Sequence, residues 1–382
     1  MENKGKNIVM TDAQVAAKRK TAIRNWAILL GAIAAVALVM FLIFHLGSGG
    51  YTISAVSLPC YAGQNVTVFQ NGVLYYDGAS IHYINAAGSI VWSYPVGSGA
   101  SFSASDTHII AWSGSQLAIV DASGHSSFNR AMDDTIQFAR IGKKHAAIVT
   151  GGDLTPTLYI KDMQGADIDS EIAQFDGQVL LDCGFYGNDD QYMWTLGYDF
   201  YAPVVTSILK TFQVGQMNTG TATITDALPS KVAYIDDRLH VFTTQQLLTY
   251  DYRGVEDTSG KTLVYGWRYL DHTVKRAARV LLAPTSLTGH EEGMNELRVV
   301  GAGFDRRYTL PTACVGAAMN GENIYAFSSQ YMYSGKTTDN RFYAHHIPLD
   351  DGRQVTGFVG LTDNGYAIVV SNSEVFSVTL PR

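Results

Sequence analysis

Several groups of residues in this chain carry side chains of the kind that does chemistry, and none has the spacing that the chemistry needs. Asp189 and Asp190 are adjacent carboxylates, the raw material of acid–base or metal work. They sit in Gly187-Asn-Asp-Asp-Gln191, a run of turn formers, and neighbouring strand positions point to opposite faces. A turn between strands is the reading. His290-Glu291-Glu292 begins like a zincin helix, but H-E-x-x-H needs a histidine where Met294 stands. His345-His346 lies in an alternating stretch, where one ring can face inward and the other cannot. Three cysteines, Cys60, Cys183 and Cys314, are too few and too scattered for a zinc site or a disulfide framework; buried free thiols are the first reading, and a single pairing of two of them in an outward-facing chain is the alternative. There is no G-x-S-x-G, no Walker loop and no dinucleotide fingerprint after a strand; Gly301-Ala-Gly303 has no helix behind it. No catalytic, cofactor-binding or metal-ligating residue is nominated.

The elements that must hold such side chains repeat. One unit is clearest at Gly72–Asp77, Ser80–Gly88 and Ser89–Tyr94: apolar alternation, a polar turn, more alternation, then glycine and a last strand. Its outline returns at 107–124, 144–165 and 238–254, and more faintly around 207–215, 295–304, 341–349 and 373–380. A period of roughly 35–50 residues matches a four-stranded propeller blade. Thirty-seven glycines and 22 tyrosines suit turns and pleated surfaces. The fold expected is all-β, a β-propeller of eight blades, with seven the alternative. Tyr51–Leu58 is a spare strand at the near end of the repeats. It predicts a closed ring in which it completes the last blade and removes two open edges.

Ahead of the repeats, Trp26–Leu46 is 21 residues without formal charge, about 30 Å as a helix and enough to cross a bilayer. Residues 1–24 carry six basic side chains and two acidic ones, and no charge follows the apolar run until Asp77. The positive-inside bias therefore predicts a cytoplasmic tail over 1–24, one uncleaved transmembrane helix over 25–47, and an extracytoplasmic propeller over 48–382. A signal peptide has a shorter apolar core and a small-residue cleavage site. Taking the tail's six and two from the chain's 27 basic and 34 acidic residues leaves 21 against 32 outside, about −11. Such a surface repels nucleic acid and anionic lipid, so no nucleic-acid partner is expected.

The phrase Tyr83-Ile-Asn-Ala-Ala-Gly-Ser-Ile-Val-Trp92 resembles the blade motif of PQQ-like propellers, L-Y-A-L-D-A-x-T-G-x-x-x-W, and the outline recurs without tryptophan at 117–124, 158–165 and 248–254. The resemblance implies that Trp92 packs between blades. It does not imply quinone binding, because the adjacent cysteines and the acidic calcium loop of quinoprotein dehydrogenases are missing; no cofactor is expected. Basic tail, single span and propeller together resemble an uncharacterised, domain-of-unknown-function family of bacterial single-pass membrane proteins.

Fold alone names no task. The function expected is a non-catalytic protein-interaction scaffold in the cell envelope, facing another envelope protein or a cell-wall component. The alternatives are a small-ligand or cell-wall sensor, and an envelope hydrolase or lyase with its site in the central funnel. Three hairpins between the second and third strands of their units are unusually long: Gly197–Pro203, Thr285–Met294 and Gln330–Asn340. Equivalent hairpins share one face of a propeller. Turn tips are usually polar, yet these carry Tyr198, Phe200, Tyr201, Tyr331 and Tyr333, with His290 beside them; these six are the expected partner-binding residues.

Overall fold

Strands that are apolar on both faces need a sheet on each side, and a ring of sheets gives every one of them two neighbours. The computed structural model describes residues 53–381 apart from 172–173, 217 and 286–292, with Val36 the one residue described ahead of them. These residues form eight four-stranded antiparallel sheets. Seven are consecutive in sequence: blade 1 (67–95), blade 2 (101–131), blade 3 (136–171), blade 4 (178–225), blade 5 (229–263), blade 6 (267–314) and blade 7 (316–346). Blade 8 combines 357–379 with Ala55–Tyr61, which pairs antiparallel with Glu374–Thr379 as its outer strand. First strands of successive blades adjoin one another, as in blades 2 and 3, 5 and 6, 7 and 8, and 8 and 1, so they ring the centre.

The ring therefore closes as expected, at eight blades. The closing strand runs three residues further than the sequence pattern predicts, past Pro59 to Tyr61. Proline lacks a ladder donor but is tolerated on an outermost strand, and the alternation carries on through buried Leu58 and Cys60.

The core is eight cores, one between each pair of neighbouring blades. The second strand of blade 3, His145–Gly152, shows how sequence builds them. Ala146 and Ile148 pack toward blade 2, while Ala147 and Val149 pack toward blade 4. A period of two in a wholly apolar run is what a strand between two sheets requires. The three cysteines fall in three different interfaces as free thiols. Burial pushes the Cys60 and Cys314 thiols up to about 12, and that of Cys183 higher still.

Because the four strands alternate in direction, each blade has two unlike ends. One end, the turn face, carries the turns between strands one and two and between three and four. The other, the connection face, carries the hairpins between strands two and three and the links from blade to blade. The chain enters at Ala55, opposite Val378 on the turn face, and reaches Tyr61 at the connection face before starting blade 1.

On the turn face the recurrent phrase of the sequence has a physical meaning. Asn85, Asp121, Asp162 and Asp251 each accept two backbone N–H bonds, from residues two and four further on, at 2.8–3.0 Å. Gly88, Gly124, Gly165 and Gly254 complete these turns at φ between +71° and +87°, where side chains are strained. The outer strand of the preceding blade docks on the turn: the Trp92 indole donates to Ala122 O at 3.0 Å and its ring covers Gly124. Where tryptophan is missing, Ser127 donates to Met163 O and Thr219 to Tyr252 O, the carbonyls at the same place in their turns. The carboxylates of the repeat are turn formers.

One of the three long hairpins is a misreading. Tyr331–Lys336 is the third strand of blade 7, joined to the second by the short turn Ser328–Gln330. Its Ser, Gly and Lys look like turn residues, but Met332, Tyr333 and Gly335 are buried within the sheet.

Candidate partner-binding hollow on blade 4

The second strand of blade 4 ends at Asp199 and the third begins at Thr206. The six residues between, Phe-Tyr-Ala-Pro-Val-Val, hold five large or rigid apolar groups where a two-residue turn would do. Backbone bonds fix the hairpin's shape. Phe200 N–H donates to Gly177 O at 3.0 Å, Tyr201 N–H to the Asp199 carboxylate at 3.0 Å, and Asp226 N–H to Val205 O at 3.1 Å. The Tyr201 ring lies over Gly177, where a Cβ would come within 2.8 Å of it. Phe200 and Tyr201 meet edge to face, 5.7 Å apart.

Fixed in this way, the apolar groups still face solvent. Phe200 is 63% exposed, Tyr201 75%, Val204 49% and Val205 54%, and Leu228 in the link to blade 5 adds another at 45%. Phe200, Val204, Val205 and Leu228, with Tyr198 and Pro203, surround an open hollow of about 470 Å³, and Tyr201 stands beside it against Phe200. Singly exposed apolar side chains are ordinary; four around one hollow with a fifth beside it mark a binding surface.

Of the six expected partner-binding residues, Tyr198, Phe200 and Tyr201 come together here. Tyr331 is on the same face but over blade 7, partly exposed and edge to face with His346. Tyr333 is corrected: it is buried between blades 6 and 7, its hydroxyl paired with Thr312 Oγ1 at 3.0 Å, because even-numbered and odd-numbered positions of a central strand are both covered. His290 lies outside the described residues, as does most of its hairpin. Sequence reasoning missed Val204, Val205 and Leu228. Their signal was an apolar pair after Pro203 and another apolar residue before Pro229, both at expected turns.

The connection face is also one-sided in charge. Its described turns and links carry Asp77, Asp133, Asp134, Asp153, Asp176, Asp226, Asp350 and Asp351, against Arg353, which pairs with Glu374. The turn face mixes signs, with Lys143, Lys144, Lys275, Arg276 and Arg253 among its acids. Asp77 is held down to about 2 by its bond to the His82 ring and by the amides of Ser80 and Ala79.

The adjacent carboxylates are indeed a turn. Asp189 and Asp190 both have positive φ. Asp189 pairs with Lys144 at 2.8 Å, while Asp190 is buried and accepts the amides of Lys144 (2.6 Å) and His145 (3.2 Å), clamping blade 4 to blade 3. His345 bonds Ser334 Oγ at 2.8 Å and His346 faces out. Nearer the centre, Arg140 and Asp182 pair at 2.7 Å across blades 3 and 4. Burial pushes the carboxyl of Asp271 up and the imidazoles of His240 and His272 down. Among the described residues no three His, Cys, Asp or Glu side chains are placed to hold a metal ion. What the hollow can do is seat apolar side chains beneath an acidic rim.

No family model matches the sequence and no curated protein matches it. Solved structures do. The chain is similar to BamB from Moraxella catarrhalis, 12% identical over 86% of this chain and 97% of that one, with a TM-score of 0.53. Saccharomyces cerevisiae Sqt1 is similar at 10% identity over 86% and 100%, TM-score 0.57. The WD40 domain of SCAP from fission yeast is similar at 6% over 86% and 98%, also 0.57. This is a β-propeller like BamB and WD40 domains. Identities this low carry the fold and nothing of the task. Among the described residues no helix is long and apolar enough to cross a membrane, and the expected span over 25–47 lies outside them but for Val36.

Proposed function

We propose that the protein is a membrane-anchored, extracytoplasmic propeller that acts as a non-catalytic scaffold, binding another envelope protein through the connection face of blade 4. The observation that carries the reading is the hollow: exposed Phe200, Val204 and Val205 on a hairpin whose backbone is already fixed, Leu228 in the link beyond it, and Tyr201 beside them. A preformed aromatic surface loses little entropy on binding, which is where binding energy concentrates. The membrane setting rests on the uncharged run Trp26–Leu46 behind a basic tail, and on the resemblance to a family of bacterial single-pass proteins.

Protease added to intact protoplasts tests the setting; it should remove the propeller and leave the tail protected, and a protein released with its N-terminus near Gly50 would refute the anchor. Crosslinking in intact cells identifies the partner. Affinity of the purified pair then tests the site: Phe200→Ala with Tyr201→Ala should weaken binding more than tenfold, about 1.4 kcal/mol. Unchanged affinity in a folded double variant moves the site away from blade 4.

A further inference from the structure

Every propeller blade ends in an outer strand with one edge toward solvent. Such an edge is a template for another strand unless charge, proline, shortness or a bulge blunts it. Seven of the outer strands here are blunted. Blade 2 has Arg130, blade 3 has three acids in five residues, and blade 6 has Arg306, Arg307 and Pro311. Blade 5 offers two residues, blades 1 and 8 carry proline, and blade 7 has five residues ending in two histidines. Blade 4 differs. Its outer strand, Asn218–Thr225, is N-T-G-T-A-T-I-T: eight residues with neither charge nor proline. The irregularity in its pairing lies at its start, opposite Thr211 and Phe212, and the register is regular from Gly220 to Thr225.

The phase of that edge follows from the ladder. Asp226 N–H bonds Val205 O one step beyond the pair Thr225–Thr206. In an antiparallel pair the bonds alternate, so Ile224, Ala222 and Gly220 also face the third strand. The N–H and C=O groups of Thr221, Thr223 and Thr225 therefore point outward, where this strand pairs with no other. All three residues are exposed. The strand's end adjoins the hollow through the same Asp226–Val205 bond, and Leu228, three residues past Thr225, is in the hollow's wall.

We propose that the partner binds by strand addition: an extended segment of another protein pairs antiparallel with Thr221–Thr225 and lays its N-terminal end, apolar and cationic, in the hollow. This deepens the reading of the hollow as a partner site and rests on it. Main-chain bonds supply affinity in this mode, and a side-chain pocket at one end supplies specificity. The cationic end follows from charge: Asp199 and Asp226 flank the hollow on a face whose described turns and links hold eight aspartates and one arginine.

The probe is an eight-residue peptide, lysine–leucine–lysine followed by alternating valine and threonine, with a counterpart bearing glutamates for lysines. Both are titrated against the full chain in detergent micelles. The lysine peptide should bind at least tenfold tighter than the glutamate peptide. It should slow hydrogen exchange at the amides of Thr221, Thr223 and Thr225 at least tenfold. Thr223→Pro removes one outward donor and no ladder bond, so it should fold normally and bind at least tenfold more weakly. If that variant binds normally while Phe200→Ala with Tyr201→Ala does not, the hollow stands and strand addition falls. Loss in Thr223→Pro alone overturns the hollow as the end point, and with it the site proposed above. Binding of neither peptide overturns the proposal, as does self-association that Thr223→Pro dissolves, since a second copy then occupies the edge. Should Thr223→Pro fail to fold, the exchange pattern of the parent protein decides.

Discussion

The two ends of blade 4 are built to different purposes. At its turn face, Asp190 clamps blade 3 through two amides, and Thr219 bonds blade 5 at Tyr252 O. Gly220 sits so close to Arg253 O that a Cβ would fall 1.7 Å from it. At its connection face, Phe200, Tyr201, Val204 and Val205 face solvent. At about 25 cal/mol per Å² of apolar surface, leaving a phenylalanine or tyrosine uncovered forgoes roughly 1–2 kcal/mol. The difference teaches where each kind of side chain is used. In blade 4, polar groups that reach across to its neighbours fix the turn face, and the exposed apolar groups of its long hairpin stand at the other end.

If the ring's stability resides in its closure and its turn face, damage there should be large. A chain beginning at residue 62 lacks the closing strand and uncovers Val375, Phe376 and Val378. The loss should be on the order of 5 kcal/mol, comparable with the whole stability of an ordinary domain. Denaturant unfolding beside a chain that keeps residues 53–61 measures it, and equal midpoints would mean the ring does not depend on closure. Next in size is Gly165→Ala. The position has φ +81°, and a Cβ would lie 1.9 Å from the Phe128 ring docked on it. Strain and displaced packing together should cost roughly 3 kcal/mol. The same substitution at Gly303, which also has positive φ but open space around it, should cost clearly less; equal costs would show that docking contributes nothing.

Features that depend on a few neighbouring residues are legible in the amino-acid sequence. Asn85-x-x-Gly88 and its copies are local devices, with both the accepting side chain and the left-handed glycine inside five residues, so the blade period shows. The alternation of Ala146–Val149 shows too, since a strand's neighbours are implied by its own pattern. What stays hidden depends on residues far apart in sequence. Asp190 looks like a turn residue because its partners, Lys144 and His145, are 46 and 45 positions away on another blade. The hollow needs Leu228 beside Val205, which only the blade-to-blade link provides. Tyr333 is misplaced by its pattern because Ser334, Gly335 and Lys336 mimic a turn, whereas their pairing with Tyr325, Ile324 and Asn323 makes a strand.

Acid should separate the two faces. His145, His240 and His272 lie in the turn-face half of blades 3, 5 and 6, and burial pushes all three below the ordinary 6.5. Asp190 near His145, and Asp271 near His272, oppose that shift without reversing it. Above 6.5 these groups are neutral both folded and unfolded and contribute no slope. Below it the unfolded chain takes up protons that the folded chain refuses, so stability falls as pH drops toward the depressed values. Each histidine should contribute at most about 1 kcal/mol for the first unit below 6.5. Thermal melts at pH 7.0 and 5.5 should therefore differ by several degrees, and His240→Gln should reduce the difference. A flat profile over that range would remove the histidines from the turn face's account.

The smallest expected effect is the sharpest test of the comparison. Phe200→Ala with Tyr201→Ala deletes two aromatic rings, which inside any of the eight interfaces would cost about 3–5 kcal/mol each. Here the rings stand 63% and 75% exposed. The bonds that shape the hairpin come from the backbone amides of residues 200 and 201, which alanine keeps. Surface substitutions of this kind fall within about 0.5 kcal/mol, so the melting temperature should move by a degree or two at most. The Tyr201 contact with Gly177 and the edge-to-face contact with Phe200 are what would be lost, and both are half open to water. A loss above about 2 kcal/mol, the range of buried packing rather than of surface contacts, would mean that these rings hold the hairpin down and belong to the fold. Retained stability with lost binding is the result that leaves the connection face of blade 4 free for a partner.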